Sequence, residues 1–568
     1  MSSKDKKKLP VYIILAIIAV LVAGTTIYKI FLPEAASTQK ANLSELYSAE
    51  KDTAAIIVNG ETTNVRAVIK NQNIYLRLGL VTEQVNSHFY YEPATEKLYY
   101  TTADDVIVND KNALYEGVNI FYNSNEGNSD TAQASDESVY VLLSYIAKYT
   151  NIQVDIYSNP YRVFIRSRFG NSQEATALAG ASLRTQAKES AAVITTLKSG
   201  DKCWVISQDD GWCKVYIGEN YGYAGYISDE ELTGVSTVIE KDRYTAPTYN
   251  YNQLNEKICL VWDYNSSEGK ASRIKELLSD TKGVNVVSPT WFSVEDSDGN
   301  ISSRANQDYV DAVHDRGAQV WALVENFNTE NTLDYSQLLG TATSRENLIN
   351  SLIEKALKYE IDGINVDFEG LPASAGYGYR QFIRELSIAC RKNNLVISVA
   401  CYVPSSWTAH YYREDIAECT DYFIIMAYDE HYEGSDAGST ASLSFVKEGI
   451  EDTIEEGVDV SHIVVGVPFY SRLWKGEGVT LSSSTVNMDE MLEYMSDNTE
   501  YTTWDSTLGQ YYIEKSEDGI LTRLWVENAR SLEEKITAIK KIGDVAGLAG
   551  WRLGNDNAEA WEAIGTFY

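Results

Sequence analysis

From Ile258 onward, short apolar runs alternate with amphipathic stretches in a regular rhythm. The runs are Ile258–Asp263, Val284–Ser288, Gln319–Glu325, Gly363–Glu369, Leu395–Tyr402, Tyr422–Tyr428, Ile463–Tyr470 and Leu548–Leu553, and each reads as a strand. The stretches between them read as helices. Leu348, Ile349, Leu352, Ile353, Ala356 and Leu357 recur at helical spacing, with Thr343 and Glu346 predicted as a capping box ahead of them. Ser531 and Glu534 are predicted to do the same before Ile536 and Ile539. Eight strands alternating with helices over ~310 residues predict a TIM (β/α)8 barrel. The rhythm breaks over Ser471–Asn528, which predicts a small insertion between strands 7 and 8.

Upstream the texture differs. From Ala54 to Arg168 the pattern is strand-rich with two helical stretches, an α+β module. Asn59-Gly60 predicts a hairpin turn, Val139–Lys148 a helix, Ser124–Ser138 a polar loop and Tyr161–Ile165 a strand. From Ala181 to Leu232 short strands are separated by polar turns, which predicts a small β-barrel. Ser236–Leu254 is polar and contains proline, a linker able to reach roughly 60 Å if extended. The expected organisation is a tail at 1–9, a membrane anchor at 10–32, the α+β module at 42–170, the small barrel at 178–235, the linker at 236–254 and the large barrel at 255–568.

The anchor rests on charge and length. Lys4, Lys6, Lys7 and Lys8 precede an uncharged run from Val11 to Tyr28, which spans ~27 Å as a helix, about one hydrocarbon core. The lysines place the rest of the chain outside the cytoplasm. A cleaved signal peptide is the rival reading; its apolar core would be shorter, and no small-x-small site directly follows the run.

Composition narrows the partners. A net charge of −33 argues against nucleic acid. Forty tyrosines and 11 tryptophans are more than core packing needs, and fit either sugar stacking or a tyrosine-rich β-structure. Six cysteines without CxxC spacing and five histidines give no zinc pattern, so neither metal nor cofactor is expected. Cys203 and Cys213 flank a predicted turn, and both a disulfide in an oxidising compartment and two free thiols are open to them. Trp212 is a candidate either for ligand stacking or for plugging the small barrel's core.

The chemistry concentrates in Asp362-Gly363-Ile364-Asn365-Val366-Asp367-Phe368-Glu369. Along a strand Asn365, Asp367 and Glu369 share one face, and Ile364, Val366 and Phe368 the other. In a barrel the apolar face packs on helices. The polar face then points inward, where branched aliphatics normally fill the space. Two neighbouring acids there destabilise the fold by like-charge repulsion. They rise toward the strand's C-terminal end, where barrel active sites form.

This octapeptide resembles the D-x-x-D-x-D-x-E signature of glycoside hydrolase family 18, the chitinase-like hydrolases. Met426-Ala427-Tyr428-Asp429, Gly466-Val467-Pro468-Phe469-Tyr470 and Trp551 add matches at strands 6, 7 and 8. "MAYDEH" and "GVPFYSRLW" look most like the spore-germination and peptidoglycan-hydrolysing branch. Gly211, Trp212, Lys214 and Val215, followed by Gly225-Tyr226-Ile227, resemble a bacterial Src-homology-3-like domain. "IIVNGE", "IYLRLGLV" and "FYYEPATEKLYYT" resemble a copper amine oxidase N-terminal-like domain, without implying copper.

The family resemblance implies substrate-assisted retaining hydrolysis. Glu369 would protonate the leaving oxygen and Asp367 would orient the substrate's acetamido group. Tyr428 would donate to that group's carbonyl. Asp429, Asn365, Met426, Tyr470 and Trp551 would contact or floor the sugar. Asn365 departs from the signature's middle Asp, which implies weaker pressure on the acid's pKa, though an Asn can still hydrogen-bond Asp367. The resemblance implies an N-acetylglucosamine glycan as the substrate, either peptidoglycan or chitin-like. The competing class is a non-catalytic glycan-binding relative, which would have lost the terminal Glu that this chain keeps.

Overall fold

The structure is a computed structural model. It describes residues 36–47, 50–110, 121–122, 139–240, 248–264, 271–327, 333–477 and 481–568. The expected tail and anchor (1–9 and 10–32) and the loop Ser124–Ser138 lie outside the described residues. Among the described residues no helix is long and apolar enough to cross a membrane.

Two compact units form. The larger contains the barrel, with strands β1 (Ile258–Asp263), β2 (Val286–Val294), β3 (Gln319–Glu325), β4 (Gly363–Asp367), β5 (Val396–Tyr402), β6 (Tyr422–Met426), β7 (Ile463–Pro468) and β8 (Gly547–Trp551). All neighbours pair in parallel, and β1 pairs with both β2 and β8, so the sheet closes. The helices around it are α1 (Ala271–Leu277), α2 (Gln307–His314), α3 (Ala342–Lys358), α4 (Gly376–Lys392), α5 (Arg413–Cys419), α6 (Leu443–Glu455), α7 (Ala529–Ile542) and α8 (Ala558–Gly565).

Strand alternation divides the apolar side chains into two cores. Val261, Val287, Val320 and Ile364 point outward into the helix layer, while Leu260, Val286, Trp321 and Leu323 fill the interior. Gly363 begins β4 because there is no room for more: a Cβ there would lie 2.8 Å from the Trp321 ring.

Both predicted capping boxes fall elsewhere. Thr341, not Thr343, caps α3 by accepting from the Ser344 amide, because the backbone is still extended at Thr341 and turns helical directly after it. Asn528 caps α7, and Ser531 takes the third helical position in a reciprocal box; Glu534 is thereby a full turn inside. Between strands 7 and 8 the expected insertion is a five-stranded antiparallel sheet spanning Tyr470 to Val526, with a helix at Met488–Asp497.

The stretch between Ser87 and Asp110 also belongs to the barrel unit, although it falls within the expected 42–170 module. It forms a three-stranded sheet (Phe89–Glu92, Lys97–Thr101, Val106–Asp110) that docks on the helix layer. The Tyr90 hydroxyl donates to Gly340 O at 2.8 Å, and Gln381 on α4 donates to the Thr101 hydroxyl at 2.9 Å.

The other unit holds two seven-stranded sheets. In the first, Asn59-Gly60 turns between Thr53–Val58 and Glu61–Lys70, and Arg162–Arg166 pairs parallel to Thr53–Val58. The helix expected over Val139–Lys148 is half strand. Val139–Leu142 pairs with Asn73–Arg77, and only Leu143–Tyr149 is helical; tertiary pairing overrides the local periodicity. The second sheet is the small barrel. Its core includes Cys203 and Cys213 as free buried thiols, not a disulfide. They are out of register, since Cys213 faces Gln208, and burial pushes the Cys203 thiol up to about 12. Trp212 is only half-buried and does not plug this core.

The linker expected over 236–254 is ordered at both ends. Ser236 to Glu240 continue the strand Leu232–Glu240, paired with Gly170–Ala177. Asn252, Gln253 and Leu254 are bound to the barrel floor through Asp421 and the Tyr422 hydroxyl. The 60 Å reach therefore does not apply. Asp421 also accepts from the Ile397 amide, but burial dominates and pushes its carboxyl up to about 6.

Candidate active site

The site forms where strands β1 to β8 end, because side chains at that rim face inward without a further layer above them. Asn365 lies one layer below, fully buried. Its Oδ1 accepts from Trp262 Nε1 (3.0 Å, β1) and Ser288 Oγ (3.3 Å, β2), and its Nδ2 donates to Ser398 Oγ (3.0 Å, β5). It is a polar tie across the barrel. The expected bond from Asn365 to Asp367 is not made, because the amide is engaged with three other strands.

Asp367 sits above it, 6% exposed, and its Oδ1 is buried with no hydrogen-bond partner. A carboxylate oxygen in that state is destabilised unless protonated or supplied with a donor. Burial, then the charges of Glu369 and Glu325, hold the Asp367 carboxyl well above the usual range. Glu369 is raised as well, first by burial. The Tyr402 hydroxyl donates to it and opposes the shift, while Asp429 and Glu325 add to it. These shifts leave protons on the pair at pH values where free carboxylates have lost them.

The backbone of Glu369 is clamped from β3. Its amide donates to Asn326 Oδ1 and its carbonyl accepts from Asn326 Nδ2, both at 2.8 Å, and Asn326 Nδ2 also donates to the Tyr335 hydroxyl at 2.7 Å. Glu369 is thus fixed although it lies two residues beyond β4.

Across the mouth, Tyr428 follows β6 with its hydroxyl raised well above the phenol range, chiefly by burial. Gly466 makes room for it: a Cβ there would lie 3.2 Å from Tyr428 Cε1. Asp429 takes the left-handed conformation at φ 57°, which turns its carboxylate to accept from the Tyr470 hydroxyl at 2.6 Å. Trp551, half-buried at the end of β8, meets Trp262 edge to face at 5.8 Å, and Trp262 meets Tyr428 at 6.5 Å. Met426 is buried beneath this aromatic wall. The structure thus gathers Glu369, Asp367, Tyr428, Asp429, Tyr470 and Trp551 at one rim, with Asn365 and Met426 supporting from below.

Such an arrangement can donate a proton from Glu369, accept an N–H at Asp367, and stack a sugar on Trp551. Residues 225–556, more than half of the chain, match the glycosyl hydrolases family 18 profile. The chain belongs to glycosyl hydrolases family 18. It is a glycosidase. Residues 179–233 match the bacterial SH3 domain.

Among curated relatives of this family 18 chain, the uncharacterized glycosylase YvbX of Bacillus subtilis is 23% identical over 294 residues, covering 50% of this chain and 84% of that protein. The cortical fragment-lytic enzyme of Bacillus subtilis is 26% identical over 235 residues, covering 39% of this chain and 54% of that protein. Among solved structures, the Bacillus cereus spore cortex-lytic enzyme SleL aligns with TM-score 0.50 at 17% identity, over 58% of this chain and 78% of that one. It shares the fold.

Four residues at the site were not singled out from the sequence: Asn326, Tyr402, Glu325 and Trp262. The signal was present. Glu325-Asn326 and Tyr402 end the apolar runs of β3 and β5 as Glu369 ends that of β4, and a polar residue closing a barrel strand faces the same mouth.

Proposed function

We propose that this glycosidase cleaves β-1,4 linkages after N-acetylglucosamine in peptidoglycan or spore cortex, by substrate-assisted retention, from an extracytoplasmic position held by its N-terminal segment. The observation that carries the mechanism is the buried, unpartnered Oδ1 of Asp367 two residues before Glu369. It suits the N–H of a 2-acetamido group. The acetamido oxygen attacks the anomeric carbon from below while Glu369 gives its proton to the departing glycosidic oxygen. The C–O bond to the leaving sugar breaks and an oxazolinium forms, with its positive charge beside Asp367. Water, deprotonated by Glu369, then opens the ring and returns the β configuration. Tyr428 donates to the acetamido oxygen and Trp551 stacks under the sugar.

The substrate reading draws on relatives named cortical fragment-lytic enzymes in Bacillus subtilis, Bacillus anthracis and Bacillus cereus. The lysine-flanked run Val11–Tyr28 supports a position at the outer membrane face, where such a wall lies. The bacterial SH3 domain ahead of the barrel fits a wall ligand too. A second reading, chitinase action, is favoured by a class V chitinase relative from Medicago truncatula, 24% identical over 308 residues. For the part of the 42–170 stretch outside the barrel unit we keep the copper amine oxidase N-terminal-like reading as a contact domain.

The test is digestion of cortex fragments, sacculi and chitin oligomers by the purified extracellular part. Proton NMR reads the anomeric form of the first product. New reducing ends on N-acetylglucosamine in wall material, formed as the β anomer, are expected. Brisk chitin cleavage with untouched wall would overturn the substrate, and an α first product would overturn retention.

A further inference from the structure

The family signature has an acid at the position of Asn365, and here that position carries no charge. Its amide is bound by Trp262, Ser288 and Ser398, and none of these contacts reaches Asp367. A third carboxylate is nevertheless present beside the pair, on a different strand. Glu325 ends β3, and its Cα is the register partner of Asp367 on β4. Parallel neighbours in register point to the same side of the sheet, so Glu325 faces the barrel mouth with Asp367. At the end of β2, Ser293 Oγ donates to Glu325 Oε1 at 2.6 Å, which fixes the orientation of this half-buried carboxylate. The next residue, Asn326, is the clamp on the Glu369 backbone. Glu325 is therefore held from β2 by Ser293, while its neighbour Asn326 holds the backbone of Glu369.

We propose that Glu325 is a positioning residue of the hydrolytic site: held by Ser293 and in register with Asp367, it places on β3 the third carboxyl that the signature places on β4. The inference rests on the reading of Glu369 as proton donor. The groups facing the pair are consistent with it. From β3 comes Glu325, from the end of β6 come Tyr428 and Asp429, from β5 Tyr402 and Cys401, from beyond β7 Tyr470, from α4 Tyr379, and from the turn before α5 Tyr411. The charges acting on the two catalytic carboxyls in this set are all carboxylates, with Tyr402 the one donor working against them. Of these carboxylates Asp429 already accepts from Tyr470. Glu325 raises both Asp367 and Glu369.

The sign follows from like-charge repulsion. An anionic Glu325 favours the protonated forms of its neighbours, so the acid stays loaded to higher pH and the upper limb of the kcat/KM profile lies at higher pH. Glu325→Gln keeps the shape and the oxygen that accepts from Ser293 but removes the charge. The upper limb, measured with a fluorogenic N-acetylglucosamine oligomer, should move toward acid by about one pH unit. Glu325→Ala should move it the same way despite its smaller volume. Adding Asn365→Asp to Glu325→Gln should move the limb back, since the charge then returns on β4. Infrared titration of the protonated carboxyl band reads the same shift without substrate.

A profile superimposable on the wild type, a uniform loss of rate with an unmoved limb, or a shift in only one of the two variants would overturn the role of Glu325. Failure of the underlying reading looks different: Glu369→Gln would then hydrolyse the oligomer at the wild-type rate.

Discussion

On the outer side of the barrel wall, Asp415 of α5 lies between Arg380 and Arg384 of α4, with N–O distances of 2.9 and 2.8 Å. On the inner side, Asp367 faces Glu369 and Glu325. Asp367 is buried and Asp415 half-buried, yet the two carboxyls are driven in opposite directions. For Asp415 burial alone would raise the pKa, but the two guanidiniums outweigh it and hold the carboxyl below the usual range. For Asp367 burial and like charge add together. An acid paired with cations is part of the scaffold; a buried acid among acids is held in readiness at the scaffold's expense.

Four substitutions probe that contrast. The largest effect is expected inside. Glu369→Gln removes the proton donor, and turnover should fall by a factor on the order of 10² to 10⁴, with substrate binding largely kept; steady-state kinetics alongside calorimetric binding would read both. A wild-type rate would erase the contrast. Outside, Arg384→Met leaves Asp415 with half its cationic partners and should destabilise the barrel unit by about 3 kcal/mol, read by urea unfolding. No change there would mean the outer cluster is ornamental.

Asp367→Asn is the test in which function and stability should part. It impairs turnover by misorienting the acetamido group, yet it removes a buried charge. The folded-state pKa of Asp367 is raised, so in the wild type its penalty is absent at low pH and grows as pH rises through the carboxyl range. The variant should therefore melt higher than the wild type by a few degrees at neutral pH, and the gap should close at acid pH. Thermal scans across pH would show it, and a gap that widens toward acid would contradict the sign. The smallest effect is expected from Tyr402→Phe. It deletes the donor that favours ionised Glu369, so the upper limb of the kcat/KM profile should move alkaline by roughly half a unit, opposite to the shift from Glu325→Gln.

Much of this was legible in the chain. The barrel strands announce themselves as apolar runs, and inward acids on β4 are conspicuous because barrel interiors exclude them. Glu325 was less visible. One acid closing an apolar strand looks like a loop residue until the register of β3 against β4 is known, and register is set by closure of the sheet, not by local pattern. The caps at Thr341 and Asn528 are hidden for a similar reason: several nearby Ser, Thr and Asn residues are competent caps, and packing chooses among them. The hairpin at Phe89–Thr101 could not be assigned to the barrel at all, since nothing local marks where a strand docks. Its counterpart on the barrel is visible only in hindsight. Arg345 is fully buried, paired with Glu385 at 2.8 Å and lying over the Tyr90 ring at 4.9 Å.

That hairpin has a consequence for how the protein is made. Tyr90 finds its acceptor at Gly340, 250 residues later, and Ser87 finds Asp415 after 328. At a synthesis rate of about 5–20 residues per second, the hairpin waits roughly 15–65 s for its docking site to exist. During that interval the aromatic rows of Phe89–Glu92 and Lys97–Thr101 have no helix layer to cover them. A three-stranded sheet needs its apolar face covered, and an uncovered apolar edge invites pairing with other chains. The nascent chain thus carries this aromatic sheet early and its shelter late, so its yield depends on whatever guards it in between.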